Sequence, residues 1–189
     1  MSITLTDFVR GFSNALQAVD TKKSIHKNFR AGIGPFGGAD AIRMALAELK
    51  ISNPSRYRDA RTKRLPDLLI PGEWAIEFKI VRPFGDNGKS AEHWSGNVLH
   101  PYAGNTSSLG DCLKLLESKL PEKKAVVIFG FEHTPPLVSL DAALAGFELL
   151  ASHILHVSLS SRVEDLRIGL VHPVHQQLRV FAYEVLGYR

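Results

Sequence analysis

Apolar and polar residues follow two periods along the chain, one typical of helices and one typical of strands. Apolar side chains recur at helical spacing in four stretches, which predicts helices at 5–19, 39–50, 108–120 and 140–155. Alternating or continuously apolar runs predict strands at 65–70, 74–82, 125–131, 166–172 and 178–186, with a further short strand at 56–61. This order predicts an α/β fold with a single mixed β-sheet flanked by helices on both faces.

One hairpin in this pattern carries charges inside an apolar stretch. The strands at 65–70 and 74–82 are joined by Pro71, Gly72 and Glu73, which is a typical turn sequence. Side chains alternate along a strand, so Glu77 and the lysine two residues later share one face while the apolar residues between them share the other. A three-residue turn centred on Gly72 places Asp67 directly opposite Glu77 on that face, with Cβ atoms about 5 Å apart.

Two facing carboxylates repel each other by about 3 kcal/mol at an effective dielectric constant near 20. A divalent cation would remove this repulsion, and Mg²⁺ prefers one or two carboxylates together with water and phosphate oxygens. The pair formed by Asp67 and Glu77, with Lys79 beside it, therefore has the chemistry expected for metal-dependent hydrolysis of a phosphodiester bond.

The same residues carry a resemblance to a known family. Pro66-Asp67, a turn and then Glu77-Phe78-Lys79 resembles the PD-(D/E)xK signature of the restriction-endonuclease-like nucleases, and the elements over 39–131 resemble their common core. The resemblance implies that Asp67 and Glu77 are metal ligands, with the backbone carbonyl of Phe78 as a further ligand. It also implies that Lys79 positions or activates the attacking water.

The resemblance suggests further site residues on the neighbouring helices. Some members of the superfamily add an acid from the helix before the motif, and Glu48 or Asp40 could fill that place here. Glu48 is retained as a candidate metal ligand. Members often place another polar residue on the helix after the motif, where Asp111 or Lys114 could stand.

Charge along the chain suggests an anionic partner. The 23 Lys and Arg residues exceed the 19 Asp and Glu residues, which gives a formal net charge of +4. A basic run precedes the motif, and its members Arg56, Arg58, Arg61 and Lys63 are candidate contacts to a nucleic-acid backbone. The alternative is that they form an ordinary solvated face.

Two other patterns carry less weight. Gly32, Gly34 and Gly37 match GxGxxG, but no strand clearly precedes them, so a flexible loop is expected there and not a dinucleotide site. Four histidines lack any recognised zinc spacing and are expected to be solvated or hydrogen-bonded: His93, His100, His172 and His175.

Length and cysteine content limit the organisation and the compartment. A chain of 189 residues with 44% hydrophobic content fits one domain, residues 1–189. Cys112 is the only cysteine, which favours a reducing, cytoplasmic setting. The N-terminus lacks a signal-peptide pattern, and no run approaches the roughly 18 apolar residues of a membrane span.

The expected function is that of a nuclease using Mg²⁺ or Mn²⁺, which hydrolyses phosphodiester bonds through a metal-activated water. DNA is favoured over RNA as substrate and an endonuclease over an exonuclease, and a homodimer is left open. The alternative is a catalytically inactive domain of the same fold that binds nucleic acid or another protein.

Overall fold

The structure, a computed structural model, describes residues 2–101 and 106–189 of the chain. The helices in this part are α1 (Leu5–Thr21), α2 (Gly38–Ser52), α3 (Pro54–Tyr57), α4 (Gly96–Leu99), α5 (Ser108–Glu117) and α6 (Asp141–His153). The strands are β1 (Arg61–Thr62), β2 (Leu68–Ile70), β3 (Trp74–Val81), β4 (Lys123–Glu132), β5 (Val157–Leu159), β6 (Val163–Ile168) and β7 (Gln177–Tyr188). None of the described helices is both long enough and apolar enough to cross a membrane.

The strands join in one mixed sheet with the order β1-β2-β3-β4-β7, and β5 and β6 both pair with the far side of β7. Strands β3 and β4 run parallel, whereas the other pairs are antiparallel. The parallel pair needs a crossover, which α4 and α5 supply. The predicted α/β fold with one mixed sheet and flanking helices is therefore confirmed.

The sheet separates two apolar clusters, one on each face. Helices α1 and α2 pack on the face that includes Ile76 and Phe78 of β3. Helices α4, α5 and α6 pack on the face that includes Ala75 and Val81. Because side chains alternate along a strand, Glu77 and its neighbour two residues on point toward the α5 face.

The hairpin turn forms as its sequence indicates. The N–H of Glu73 donates to the carbonyl of Ile70 at 3.0 Å, and Gly72 has a φ of 74°. Proline at the second position and a left-handed glycine at the third are typical of a type II turn. The three-residue connection sets Ile70 opposite Trp74, which is the register expected from the sequence.

Several expected boundaries are wrong. The strand expected at 56–61 is wrong except at its last residue: α3, which Pro54 begins, includes 56–57, a turn follows, and β1 contains only Arg61 and Thr62. The strand expected at 166–172 is β6 and begins at Val163, where its backbone pairs with β7. Strand β2 begins at Leu68, so Asp67 lies just before it.

The glycine-rich loop packs against two buried histidines. His172 Nε2 lies 2.7 Å from Asp86 Oδ1, and His175 Nε2 lies 3.0 Å from the carbonyl oxygen of Phe84. A Cβ added to Gly34 would overlap the His175 ring. The loop follows α1 and not a strand, so the chain lacks the strand, turn and helix context of a dinucleotide site.

Candidate active site

Asp67 and Glu77 meet where the hairpin opens toward α5. The β2–β3 register pairs Leu68 with Ile76, and its continuation by one residue sets Asp67 opposite Glu77. The N–H of Phe78 donates to Asp67 Oδ2 at 2.9 Å, which fixes the aspartate against β3. The structure thus brings the two predicted acids together.

Glu77 is the more buried acid of the pair. Its exposed fraction is 6%, and Oε1 has no hydrogen-bond partner among the described residues. Burial, the negative charges of Asp67 and Asp111 and a hydrogen bond to Asp67 together raise the pKa of Glu77 to about 8, against a lowering by Lys114. A buried carboxyl with a free oxygen is a strong candidate for a ligand-binding group.

Lys79 lies beside this pair and is held by helix α5. Its Nζ is 2.9 Å from Asp111 Oδ2, and it also donates to the carbonyl of Thr106. The other oxygen of Asp111, Oδ1, lies 2.8 Å from Nζ of Lys114. Burial lowers the pKa of Lys114, but the hydrogen bond and negative charge of Asp111 outweigh it, with help from Glu77 and Asp67, so the net pKa is raised. Five side chains thus form one electrostatic cluster, which we name the acid–lysine cluster: Asp67, Glu77, Lys79, Asp111 and Lys114.

Local sequence explains why Asp111 reaches this cluster. Ser107 is the N-cap of α5, and its side chain accepts a hydrogen bond from the N–H of Gly110 at 3.2 Å. Asp111 follows in the first turn, where the helix dipole favours a negative charge. Leu109, Cys112 and Leu115 bury the adjoining face of α5 in the apolar cluster below.

A cavity of about 180 Å³ opens next to Asp67. It is lined by side chains from α2 and by residues around β1, namely Ala39, Ile42, Arg43, Thr62, Lys63 and Asp67. Lys63 is joined to Asp67 through its backbone, since its N–H donates to the Asp67 carbonyl at 3.3 Å. Asp67 therefore borders an opening that also has two cationic side chains, Arg43 and Lys63.

The oxygen donors of this site fit a hard cation. Mg²⁺ usually takes one or two carboxylates and completes its coordination with water and substrate oxygens, which Asp67 and Glu77 can provide. Within residues 2–101 and 106–189, no three side chains of His, Cys, Asp or Glu form a group that could hold a metal. A cation at this site would therefore depend on two carboxylates, backbone oxygen and water.

The remaining predicted residues lie elsewhere. Glu48 pairs with Lys22 and belongs to α2, which packs on the opposite face of the sheet from the acid–lysine cluster. Arg56 lies 3.5 Å from Asp7. Arg56 and Arg58 line a different cavity together with Glu73, at the turn end of the hairpin.

Arg61 and Lys63 lie nearer the acid pair than the other members of the basic run. Arg61 is on the short edge strand β1, opposite Leu69, and is exposed. Arg43, which sequence reasoning missed, borders the cavity beside Asp67 and pairs with Asp40. No local pattern marks it, because its position depends on how α2 packs beside β1.

The chain has no significant match to a model of a known protein family, to a curated protein or to a solved structure.

Proposed function

We propose that this protein is a metal-dependent nuclease that hydrolyses phosphodiester bonds, with DNA as its substrate. The observation that carries the proposal is the facing pair of Asp67 and Glu77, in which Glu77 is 6% exposed and its Oε1 has no hydrogen-bond partner within residues 2–101 and 106–189. Ionising the buried Glu77 carboxyl beside Asp67 costs free energy, which is why its pKa is raised. A divalent cation held by both carboxylates would offset that cost.

The order of elements supports the restriction-endonuclease-like relationship. Helix α2, strands β1 to β3, helix α5 and strand β4 occur in the order that the resemblance implies, with the short helices α3 and α4 between them. The PD and ExK parts of the motif also lie close together, because the Asp67 carboxylate accepts a hydrogen bond from the backbone N–H of Phe78. Neither feature depends on overall sequence similarity.

In this proposal Asp67 and Glu77 hold Mg²⁺ or Mn²⁺, with the Phe78 carbonyl on the same strand as a further oxygen donor. A bound divalent cation would supply charge neutralisation at the phosphate and lower the pKa of water. Lys79 orients the attacking water and stabilises negative charge that develops on the phosphate. Lys114 adds a second positive charge near the acid pair.

Asp111 acts as a positioning residue, because one carboxylate contacts both lysines at 2.9 and 2.8 Å. With a side chain only 3% exposed, it has few alternative positions. It therefore limits where the Lys79 ammonium can move.

A catalytically inactive domain of the same fold is the second candidate. The observation that favours it is that Lys79 is already engaged, by Asp111 and by the Thr106 carbonyl. A binding module could retain these contacts as a structural network, with no turnover.

The two candidates differ in their response to metal. We expect Mg²⁺ or Mn²⁺ to raise the melting temperature of the parent protein, because a ligand that binds only the folded state stabilises it. Asp67→Asn should remove the shift, and K⁺ at matched ionic strength controls for general salt effects. No shift in the parent would favour the inactive domain.

Cleavage is tested with supercoiled plasmid, linear duplex and single-stranded DNA, each with and without Mg²⁺. Lys79→Ala should lose turnover by about 10² to 10⁴ while its metal-induced shift in melting temperature remains. Unchanged turnover in this variant would refute the role of Lys79.

A further inference from the structure

Strand β6 forms one edge of the sheet in the described part of the chain, and α1 packs on one of its faces, where Val163 joins the apolar cluster and Gln17 donates to the carbonyl of Ile168. Strand β6 pairs antiparallel with β7, and no further strand of the described residues pairs with its outer side. The opposite edge, β1, has two residues only. An exposed edge several residues long can pair with another strand unless the chain protects it.

The outer strand also exposes apolar side chains. Leu166 is 51% exposed and Ile168 is 60% exposed, and both point to the same face because they are two residues apart. Leu166 borders a groove of about 420 Å³ together with Pro136. The adjacent Leu137 is 66% exposed. Leu166 and Ile168 therefore expose apolar surface on this face of the edge strand, next to Glu164 on the same face.

The other face of β6 carries one acid and one base. Arg167 Nη2 lies 2.9 Å from Asp165 Oδ2, but the contact does not meet the geometry of a hydrogen bond. Asp165 Oδ2 and Arg167 Nε are both buried without a hydrogen-bond partner among the described residues. Unsatisfied buried polar atoms of this kind call for a partner.

We infer that β6 pairs antiparallel with β6 of a second copy of this chain, about a two-fold axis at Leu166. In this register Asp165 of each copy lies opposite Arg167 of the other, so two ion pairs form across the new strand pair. Leu166 lies opposite its own copy on the apolar face. Directly opposite side chains have Cβ atoms about 5 Å apart, which is close enough for the Asp165–Arg167 ion pairs and for the contact between the two Leu166 side chains.

Charge selects this register over its neighbours. Residues directly opposite in an antiparallel pair point to the same face, so a symmetric pairing must be centred on a residue. An axis at Asp165 sets two aspartates against each other, and an axis at Arg167 does the same with two arginines. Only the axis at Leu166 makes both charges complementary, and a closed two-fold contact stops at a dimer.

This inference is independent of the nuclease proposal, and its test needs neither metal nor DNA. The oligomeric state is measured by analytical ultracentrifugation over about a hundred-fold range of protein concentration. The parent should show a reversible monomer–dimer equilibrium. Arg167→Asp gives a strand with two acids, and Asp165→Arg gives one with two bases, so each variant alone should dimerise about ten-fold more weakly or worse.

Mixing and swapping make the test specific. An equimolar mixture of Arg167→Asp and Asp165→Arg should form a heterodimer, because each acid then faces a base. The double variant Asp165→Arg/Arg167→Asp should dimerise like the parent. Arg61→Asp, on the opposite edge strand, has the same charge change as Arg167→Asp and should leave the dimer intact.

Circular dichroism and melting temperature establish that each variant is folded. If Arg167→Asp does not fold, Leu166→Lys, which sets two ammonium groups together on the axis, provides the same test. A parent protein that stays monomeric throughout the range overturns the inference. So does a dimer that the single variants leave unchanged, or a mixture that forms no heterodimer.

Discussion

Lys79 and Asp111 form an ion pair of 2.9 Å between strand β3 and helix α5. The two residues come from opposite sides of a long crossover, and the aspartate side chain is only 3% exposed. The same carboxylate holds Lys114 at 2.8 Å. The contact thus connects the strand that carries the motif to the helix that covers it.

Asp111→Asn is expected to lower the free energy of unfolding by about 1 to 3 kcal/mol, because two lysines lose their buried counter-charge. Lys114→Ala is the matched comparison, since its side chain is 37% exposed and its loss should cost less than about 1 kcal/mol. Urea denaturation of both variants measures the difference. Equal losses would mean that Asp111 does not hold Lys79 in solution.

Glu77→Gln should have a pH-dependent effect on the metal-free protein. The folded pKa of Glu77 is about 8 and its ordinary value is 4.5, so the unfolded state releases the proton first as the pH rises. The parent therefore loses stability between about pH 4.5 and pH 8, and the loss levels off above that range. The glutamine variant has no such loss.

The difference between Glu77→Gln and the parent should accordingly be near zero at pH 4 and reach a few kcal/mol, in favour of the variant, above pH 8. Urea unfolding in the presence of a chelator, repeated across this range, measures it. A difference that does not change with pH would show that the Glu77 carboxyl is not held in its neutral form.

Asp67→Asn and Glu77→Gln should each reduce metal-dependent DNA cleavage by about a hundred-fold or more, because each removes a carboxylate from the proposed cation site. Glu48→Gln is the matched control, because Glu48 pairs with Lys22 on the other face of the sheet. This variant should cleave DNA at the rate of the parent. Cleavage at the parental rate by either of the first two variants would refute the ligand assignment.

The basic residues should divide into two groups in DNA binding. Arg61 and Lys63 lie near Asp67, whereas Arg56 and Arg58 border a cavity at the turn end of the hairpin. The slope of log K for DNA binding against log[salt] is negative, and Arg61→Ala/Lys63→Ala should reduce its magnitude by about 1 to 2. The reduction should be similar for unrelated DNA sequences. Arg56→Ala/Arg58→Ala should change the slope little.

Fluorescence anisotropy at several salt concentrations, in the presence of a chelator, measures these slopes. Equal slopes for the two double variants would mean that the position of the cavity beside Asp67 does not determine where the backbone binds.

The hairpin and its facing acids could be predicted because they depend on neighbours in sequence. Pro71 and Gly72 define the turn, the turn sets the register, and the register brings Asp67 opposite Glu77. The alternation of side chains then fixes which face Glu77 shares with Lys79. Each step uses local geometry only.

The rest of the cluster depends on tertiary packing. The sequence makes both Asp111 and Lys114 candidates, but only the docking of α5 on β3 shows that the Asp111 carboxylate contacts Lys79 and Lys114 together. The sequence pattern predicts strand β6 at 166–172, later than its position in the structure, because the charged residues at 164, 165 and 167 interrupt the alternation of apolar and polar positions. Its start at Val163 follows from pairing with β7, which the local pattern does not contain.

The parallel pairing of β3 with β4 should also order the events of folding. The β2–β3 hairpin closes over a short turn, on a timescale of about 1 to 10 μs, whereas β3 meets β4 only after the crossover through α4 and α5 has closed. Asp67 and Glu77 therefore come together before Asp111 reaches Lys79. Gly72→Ala, which strains a residue at φ 74°, should mainly slow refolding, and Asp111→Asn should mainly speed unfolding. Stopped-flow refolding and unfolding rates across urea concentrations distinguish the two effects, and the reverse assignment would mean that the crossover forms first.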